Sequence, residues 1–242
     1  MRFKKTKHID ENDICYLCGK KPSNPWKELE LDHLPPKFLS PKSTRLDFAY
    51  VPACPKCNRD YSHQENIFRD FITTGVSKRE KNQSATDSFE AMRRKFKQNE
   101  IGRAGKPHKD LLRLINNIKQ HDRYTKSGLY IGTVHKLHES SGLDSIAILI
   151  KIARGLHYLH TGKYIPDSYK VGAKFMEKIE FPEVFNELKI GGRTGDFFHF
   201  KGGWTKEDDK TGVWYMSFYK EIGAMAWFLK PELSKTSKVY NE

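Results

Sequence analysis

Apolar positions change rhythm along the 242-residue chain. Near the start they come in short extended stretches. Residues 29–33 and 48–53 read as strands on either side of a Pro-rich loop at 34–41. A helix is predicted from Asn58, placed as an N-cap, to about residue 71, with Thr73, Thr74 and Gly75 ending it. A polar stretch at 77–84 reads as a linker. The charged helix expected over 87–98 carries Phe89, Met92 and Phe96 on one stripe and Arg93, Arg94, Lys95 and Lys97 on the other face. A second linker holds Gly102, Gly105 and Pro107. Residues 108–119 again read as helix, with Leu111, Leu112, Ile115 and Ile118 as the buried side.

The second half has a different texture. Leu129, Ile131 and Thr133 alternate as in a strand, and 143–159 is the most hydrophobic helical stretch of the chain. Aromatic-rich strands are expected at 197–200, 213–219 and 224–229. Loops containing Gly202-Gly203 and residues 208–212 are expected to join them. The implied class is α+β, with an antiparallel sheet packed on the 143–159 helix. Residues 234–242 read as a frayed tail.

Charge sharpens this picture. Lys and Arg number 43 against 30 Asp and Glu, a net charge of +13. Such a balance favours a polyanionic partner, nucleic acid being the usual one. No apolar run reaches the ~20 residues of a membrane-spanning helix. The best candidate, residues 146–153, is interrupted by Lys151. The basic N-terminus lacks the apolar stretch of a signal peptide. A soluble, cytoplasmic protein with no membrane partner is expected.

The four cysteines, Cys15, Cys18, Cys54 and Cys57, form a pair of C-x-x-C knuckles with none left over. In an intracellular chain this spacing reads as a tetrahedral Zn²⁺ site, and a closed all-thiolate shell suits structural zinc. Between the knuckles lies Leu31-Asp32-His33-Leu34-Pro35, and Asn58 follows the last cysteine directly.

The ordered set CYLC, LDHLPP, CPKCN resembles the HNH (ββα-metal) nuclease family in its zinc-containing form, over about residues 12–72. The resemblance implies a zinc-stapled ββα-metal module in residues 1–76. A basic helix with linkers would follow at 77–106, then an α+β domain at 107–242 that carries substrate or partner choice. It implies a metal-dependent endonuclease that hydrolyses phosphodiester bonds in DNA, leaving a 5′-phosphate and a 3′-hydroxyl. The positions matching Asp32 and Asn58 hold a catalytic Mg²⁺ or Mn²⁺, and the position matching His33 activates the attacking water. A hard ion of this kind takes oxygen ligands, and an imidazole that titrates near ~6.5 suits a general base at neutral pH. Because Pro35 and Pro36 end the strand, Asp32 and His33 are expected to reach one cleft. Lys37, Lys56 and Arg59 are candidates for phosphate contacts.

The chain departs from the family pattern in two places. The stretch that usually carries the middle Asn reads Leu46-Asp47-Phe48-Ala49-Tyr50-Val51, so either Asp47 or a backbone carbonyl is left to orient His33. Where many relatives place a further metal ligand, this chain has Ser62, with His63 beside it and Glu65 two turns from Asn58. His63 and Glu65 are therefore candidates for support around the metal. Two alternatives stay open: a zinc-knuckle module that binds nucleic acid without cutting, and an HNH nuclease acting on RNA. The sequence does not fix the oligomeric state.

Overall fold

The computed structural model describes residues 8–40, 48–76, 82–102, 118–137, 139–176, 188 and 190–231. The stretches 77–81 and 108–117, Asp47 and the tail from 232 lie outside the described residues. Helix α1 (Pro25–Glu28) leads into strand β1 (Glu30–Leu34), which pairs antiparallel with β2 (Ala49–Ala53). Their register runs from Glu30 opposite Ala53 to Leu34 opposite Ala49.

Two helices follow, α2 (Pro55–Asp60) and α3 (Ser62–Gly75), broken at Tyr61. The helix therefore starts earlier than the sequence suggested. Cys54 stands at the N-cap, and Pro55 takes the first helical position, where a missing N–H costs nothing. Asn58 is not the cap, because its N–H already bonds the Cys54 carbonyl at 3.1 Å. Helix α4 (Gln83–Gly102) also begins before residue 87. Its true cap is Asn82, whose Oδ1 accepts from the Ala85 N–H at 3.0 Å.

Strands β3 (Ile118–Tyr124) and β4 (Tyr130–Leu137) form a separate antiparallel hairpin. Ile118 and Lys119 were expected to end a helix. They belong instead to β3, paired with Leu137 and Lys136, partners that a local 3.6-residue pattern does not reveal. Helix α5 (Glu139–Thr161) comes next.

The remaining strands are β5 (Lys170–Met176), β6 (Ile190–Thr194), β7 (Phe198–Trp204), β8 (Gly212–Phe218) and β9 (Ile222–Leu229). They form one antiparallel sheet in the order β5-β9-β8-β7-β6. The sequence did not suggest β5 and β6, which lie at the two edges of the sheet and have half-exposed positions. Gly202 and Gly203 lie inside β7, not in a loop. Trp214, opposite Gly202, covers it so closely that a Cβ there would meet the indole at 2.2 Å. Close approach, not a turn, explains that glycine.

The α+β class with antiparallel sheets is as the pattern suggested. Helix α5 buries Ile148, Leu149, Ile152, Ala153 and Leu156 and packs against α3, β5, β9 and the β1–β2 hairpin. One continuous hydrophobic core thus runs from Tyr16, Leu34 and Ala49 to Trp214 and Phe228. His157 is part of this core, its ring between Trp204, Trp214 and Phe228. Among the described residues, no helix is long and apolar enough to cross a membrane.

Candidate functional site

The first knuckle turns tightly. Gly19 N–H bonds the Cys15 carbonyl at 2.8 Å, and Gly19 has φ +68°, a conformation costly for other residues. The knuckle is tied to the hairpin by the Tyr16 N–H, which donates to the Pro52 carbonyl at 2.9 Å. The second knuckle closes β2 and opens α2. The fold brings all four Sγ atoms within 4.8 Å of one another, with Cys18 and Cys54 at 4.0 Å. Zinc–thiolate bonds of ~2.3 Å require tetrahedron edges of about 3.8 Å, so the four cysteines can hold a metal ion such as zinc with little adjustment. The Cys54 N–H donates to Cys15 Sγ at 3.3 Å, a bond that favours the thiolate.

Beside this cluster lies a second one, built from oxygens. Side chains alternate along β1, so Glu30, Asp32 and Leu34 share a face. Asp32 is buried and accepts a hydrogen bond from the Tyr16 hydroxyl at 2.8 Å. Asn58, on α2, donates from Nδ2 to Glu30 Oε1 at 2.8 Å, which leaves its Oδ1 pointing inward. Glu65 joins from α3. All three converge on one atom, Lys151 Nζ of α5: Asp32 Oδ2 at 3.0 Å, Asn58 Oδ1 at 2.9 Å and Glu65 Oε1 at 2.7 Å. The ammonium donates hydrogen bonds to Asn58 and Glu65 and forms ion pairs with Asp32 and Glu65. The Tyr61 ring centroid lies 5.4 Å from the same nitrogen. Only 1 % of the Lys151 side chain is exposed, so its charge is sustained by these neighbours.

The placement of Lys151 follows from its helix. Gly155 lies one turn on, on the same face. A Cβ at Gly155 would come within 2.8 Å of Leu34 Cδ1 and 3.5 Å of the Tyr16 ring. The hairpin presents small buried residues here, Ala49, Val51 and Ala53. Arg154 Nη1 donates to the Leu17 carbonyl at 3.1 Å, and the Tyr158 hydroxyl donates to Asp13 at 3.3 Å. Helix α5 is therefore clamped to the first knuckle, which fixes the backbone of Lys151 beside the oxygens.

Electrostatics follow the same geometry. Burial pulls the Lys151 ammonium down, but Asp32 and Glu65 together hold its pKa above the usual lysine value. Burial pushes Glu65 up, with Lys151 opposing. Burial and the charge of Asp32 raise Tyr16 well above an ordinary phenol, which keeps it a neutral donor.

His33 does not share the cleft expected for it. Strand β1 continues through Leu34, so His33 points to the face opposite Asp32. There its ring packs on Phe48 and Tyr50, with centroids 5.4 and 4.9 Å away. Burial and then Lys37 lower its pKa, against a weaker pull from Asp32, so the imidazole is mostly neutral near pH 7. Lys37, Lys56 and Arg59 are exposed around the module. His63 is exposed too, whereas Glu65 belongs to the cluster through its contact with Lys151.

Sequence reasoning missed Lys151 and Tyr16. Lys151 did carry a signal: a single charge within an apolar helical run has to find partners when that run is buried. Compared with family models, with curated proteins and with solved structures, the chain matches none.

Proposed function

We propose that the chain is a metal-dependent HNH-type endonuclease acting on DNA. The meeting of Asp32 and Asn58 at one point carries this reading, since they come from different elements and both offer hard oxygens. The order of elements supports it: knuckle, hairpin, knuckle, helix, with Asn58 one residue past a cysteine. Asp32 Oδ2 and Asn58 Oδ1 would hold the Mg²⁺ or Mn²⁺ ion, and Glu65 Oε1 is within reach of the same point. When bound, such an ion supplies charge neutralisation on the phosphate and support for the leaving oxygen. For His33 to take the proton from the attacking water, as the resemblance implies, the substrate has to bring that water to the face of β1 opposite Asp32; its neutral imidazole suits the role. The net charge of +13 favours a nucleic-acid substrate, and the exposed Lys37, Lys56 and Arg59 would hold backbone phosphates in this reading. In this reading zinc in the four-cysteine cluster fixes Asn58 relative to β1, and residues 107–242 help build the site instead of only selecting substrate.

A second reading, a module that binds nucleic acid without cutting it, is favoured by one observation: the point between the ligand oxygens already holds an ammonium.

The test is cleavage of supercoiled plasmid with Mg²⁺, Mn²⁺ or EDTA, with wild type beside His33→Ala. Nicking or linearisation that needs the metal and falls at least ~100-fold in His33→Ala is expected. A mobility shift without cleavage would support the second reading, and cleavage confined to an RNA substrate would move the activity to RNA.

A further inference from the structure

We propose that Lys151 is an internal cation that competes with the divalent ion for one position. The geometry is that of a cation site already filled. Three oxygens from three elements surround one nitrogen at 2.7–3.0 Å, two of them accepting its hydrogen bonds and the third, Asp32 Oδ2, paired with its charge. Two cations cannot occupy that point. A divalent ion binds these oxygens only if the ammonium leaves, and leaving breaks both ion pairs and the hydrogen bond to Asn58. The site sets two carboxylates against one ammonium. Asp32 and Glu65 supply the negative charges, Tyr16 donates to Asp32, and Asn58 is oriented by Glu30, its nitrogen toward a carboxylate and its oxygen toward the cation. Without Lys151 two carboxylates would face each other in a buried pocket, and that arrangement strongly favours a divalent ion.

The clamp described above makes this competition a built-in property of the fold. Gly155 brings α5 close to β1, and Arg154 and Tyr158 anchor the same helix to the knuckle. Metal entry at the oxygen cluster is therefore coupled to how α5 sits on the zinc knuckle. Lys151 has two consequences: it keeps the ligand oxygens gathered in the metal-free protein, and it raises the metal concentration the site needs.

The inference rests on reading Asp32 and Asn58 as ligands of a divalent ion, and its test is a binding measurement independent of cleavage. Mn²⁺ binding to zinc-loaded full-length protein would be followed by titration calorimetry and by the electron paramagnetic resonance signal of free Mn²⁺. Lys151→Met is expected to bind Mn²⁺ at least ~10-fold more tightly than wild type, and adding Asp32→Asn should abolish the gain. Lys151→Gln keeps an amide donor among the oxygens and serves where the Met variant folds poorly. Wild type supplies an independent arm: Lys151 should resist an amine-acylating reagent and become labelled when Mn²⁺ saturates the Asp32-dependent site. Equal Mn²⁺ affinity in wild type and both Lys151 variants would overturn the proposal. So would the lack of an Asp32-dependent site in any of them, or a Lys151 that stays protected at saturation. A protein that passes these tests yet never cuts nucleic acid would refute the nuclease reading alone.

Discussion

The four-thiol cluster and the oxygen cluster are neighbours, yet they solve the same electrostatic problem in opposite ways. Each gathers ligand atoms from segments far apart in sequence. The thiols span Cys15 to Cys57 and bring no positive charge of their own, so an external metal ion is what can hold them together. The oxygens of Asp32, Asn58 and Glu65 bring a cation from inside the chain, Lys151, 86 residues beyond Glu65. One cluster can hold a metal that enters from outside, and the other already holds a cation of the chain's own. Helix α2 contributes to both, because Cys54 caps it, Cys57 lies within it and Asn58 follows.

The largest effect should come from breaking the thiol side. Cys54→Ser takes one thiol from the cluster and is expected to abolish zinc binding there. Structural zinc contributes on the order of 10 kcal/mol in small zinc modules, so the β1–β2–α2 region should lose its cooperative melting. Elemental analysis should fall from one zinc per chain to none, and circular dichroism should show a lower, broader transition. An unchanged melting curve in the zinc-free variant would erase the contrast, because then neither cluster would need a metal.

A smaller effect is expected where the clusters are joined. Gly155→Val inserts atoms into the contact with Leu34 and Tyr16. Overpacking of this kind costs about 1–3 kcal/mol, and it should lift α5 from β1 and carry Lys151 with it. The urea midpoint should drop, and Mn²⁺ affinity should change in the same variant. A large drop in stability with the Mn²⁺ affinity unaltered would mean that helix spacing does not control the oxygen site.

The same contrast explains how much the sequence revealed. The thiol cluster was legible because its information is local: C-x-x-C spacing is a property of a tight turn, and two such turns have few other uses. Strands β1 and β2 were legible from alternation within a few residues of where they lie. Asp32 and Asn58, which the fold brings to one point, stand in sequence beside these signals. Lys151 was read only as an interruption of an apolar run, because its partners lie 86 to 119 residues away. The Ile118–Lys119 pairing and the Gly202–Trp214 contact were missed for the same reason: each depends on a partner strand, not on the local pattern. Strand alternation, applied strictly to β1, would have separated His33 from Asp32. The prolines were taken to end the strand too early.

The smallest of the effects concerns Tyr16, the residue between the two clusters. It follows Cys15 directly, and its hydroxyl donates to the same Asp32 oxygen that faces Lys151. Tyr16→Phe keeps the ring that packs near Gly155 and removes only that donor. Hydrogen bonds to a charged acceptor contribute about 1.5–3 kcal/mol. Lys151 still covers the oxygen, so the lower end is expected, about 1.5 kcal/mol in thermal or urea unfolding. Zinc content should stay at wild type, because no thiol is touched. Mn²⁺ affinity should move little, because both Lys151 and the ligand oxygens remain. A loss of zinc in Tyr16→Phe would instead mean that the phenol helps shape the knuckle, and the two clusters would then have to be treated as one.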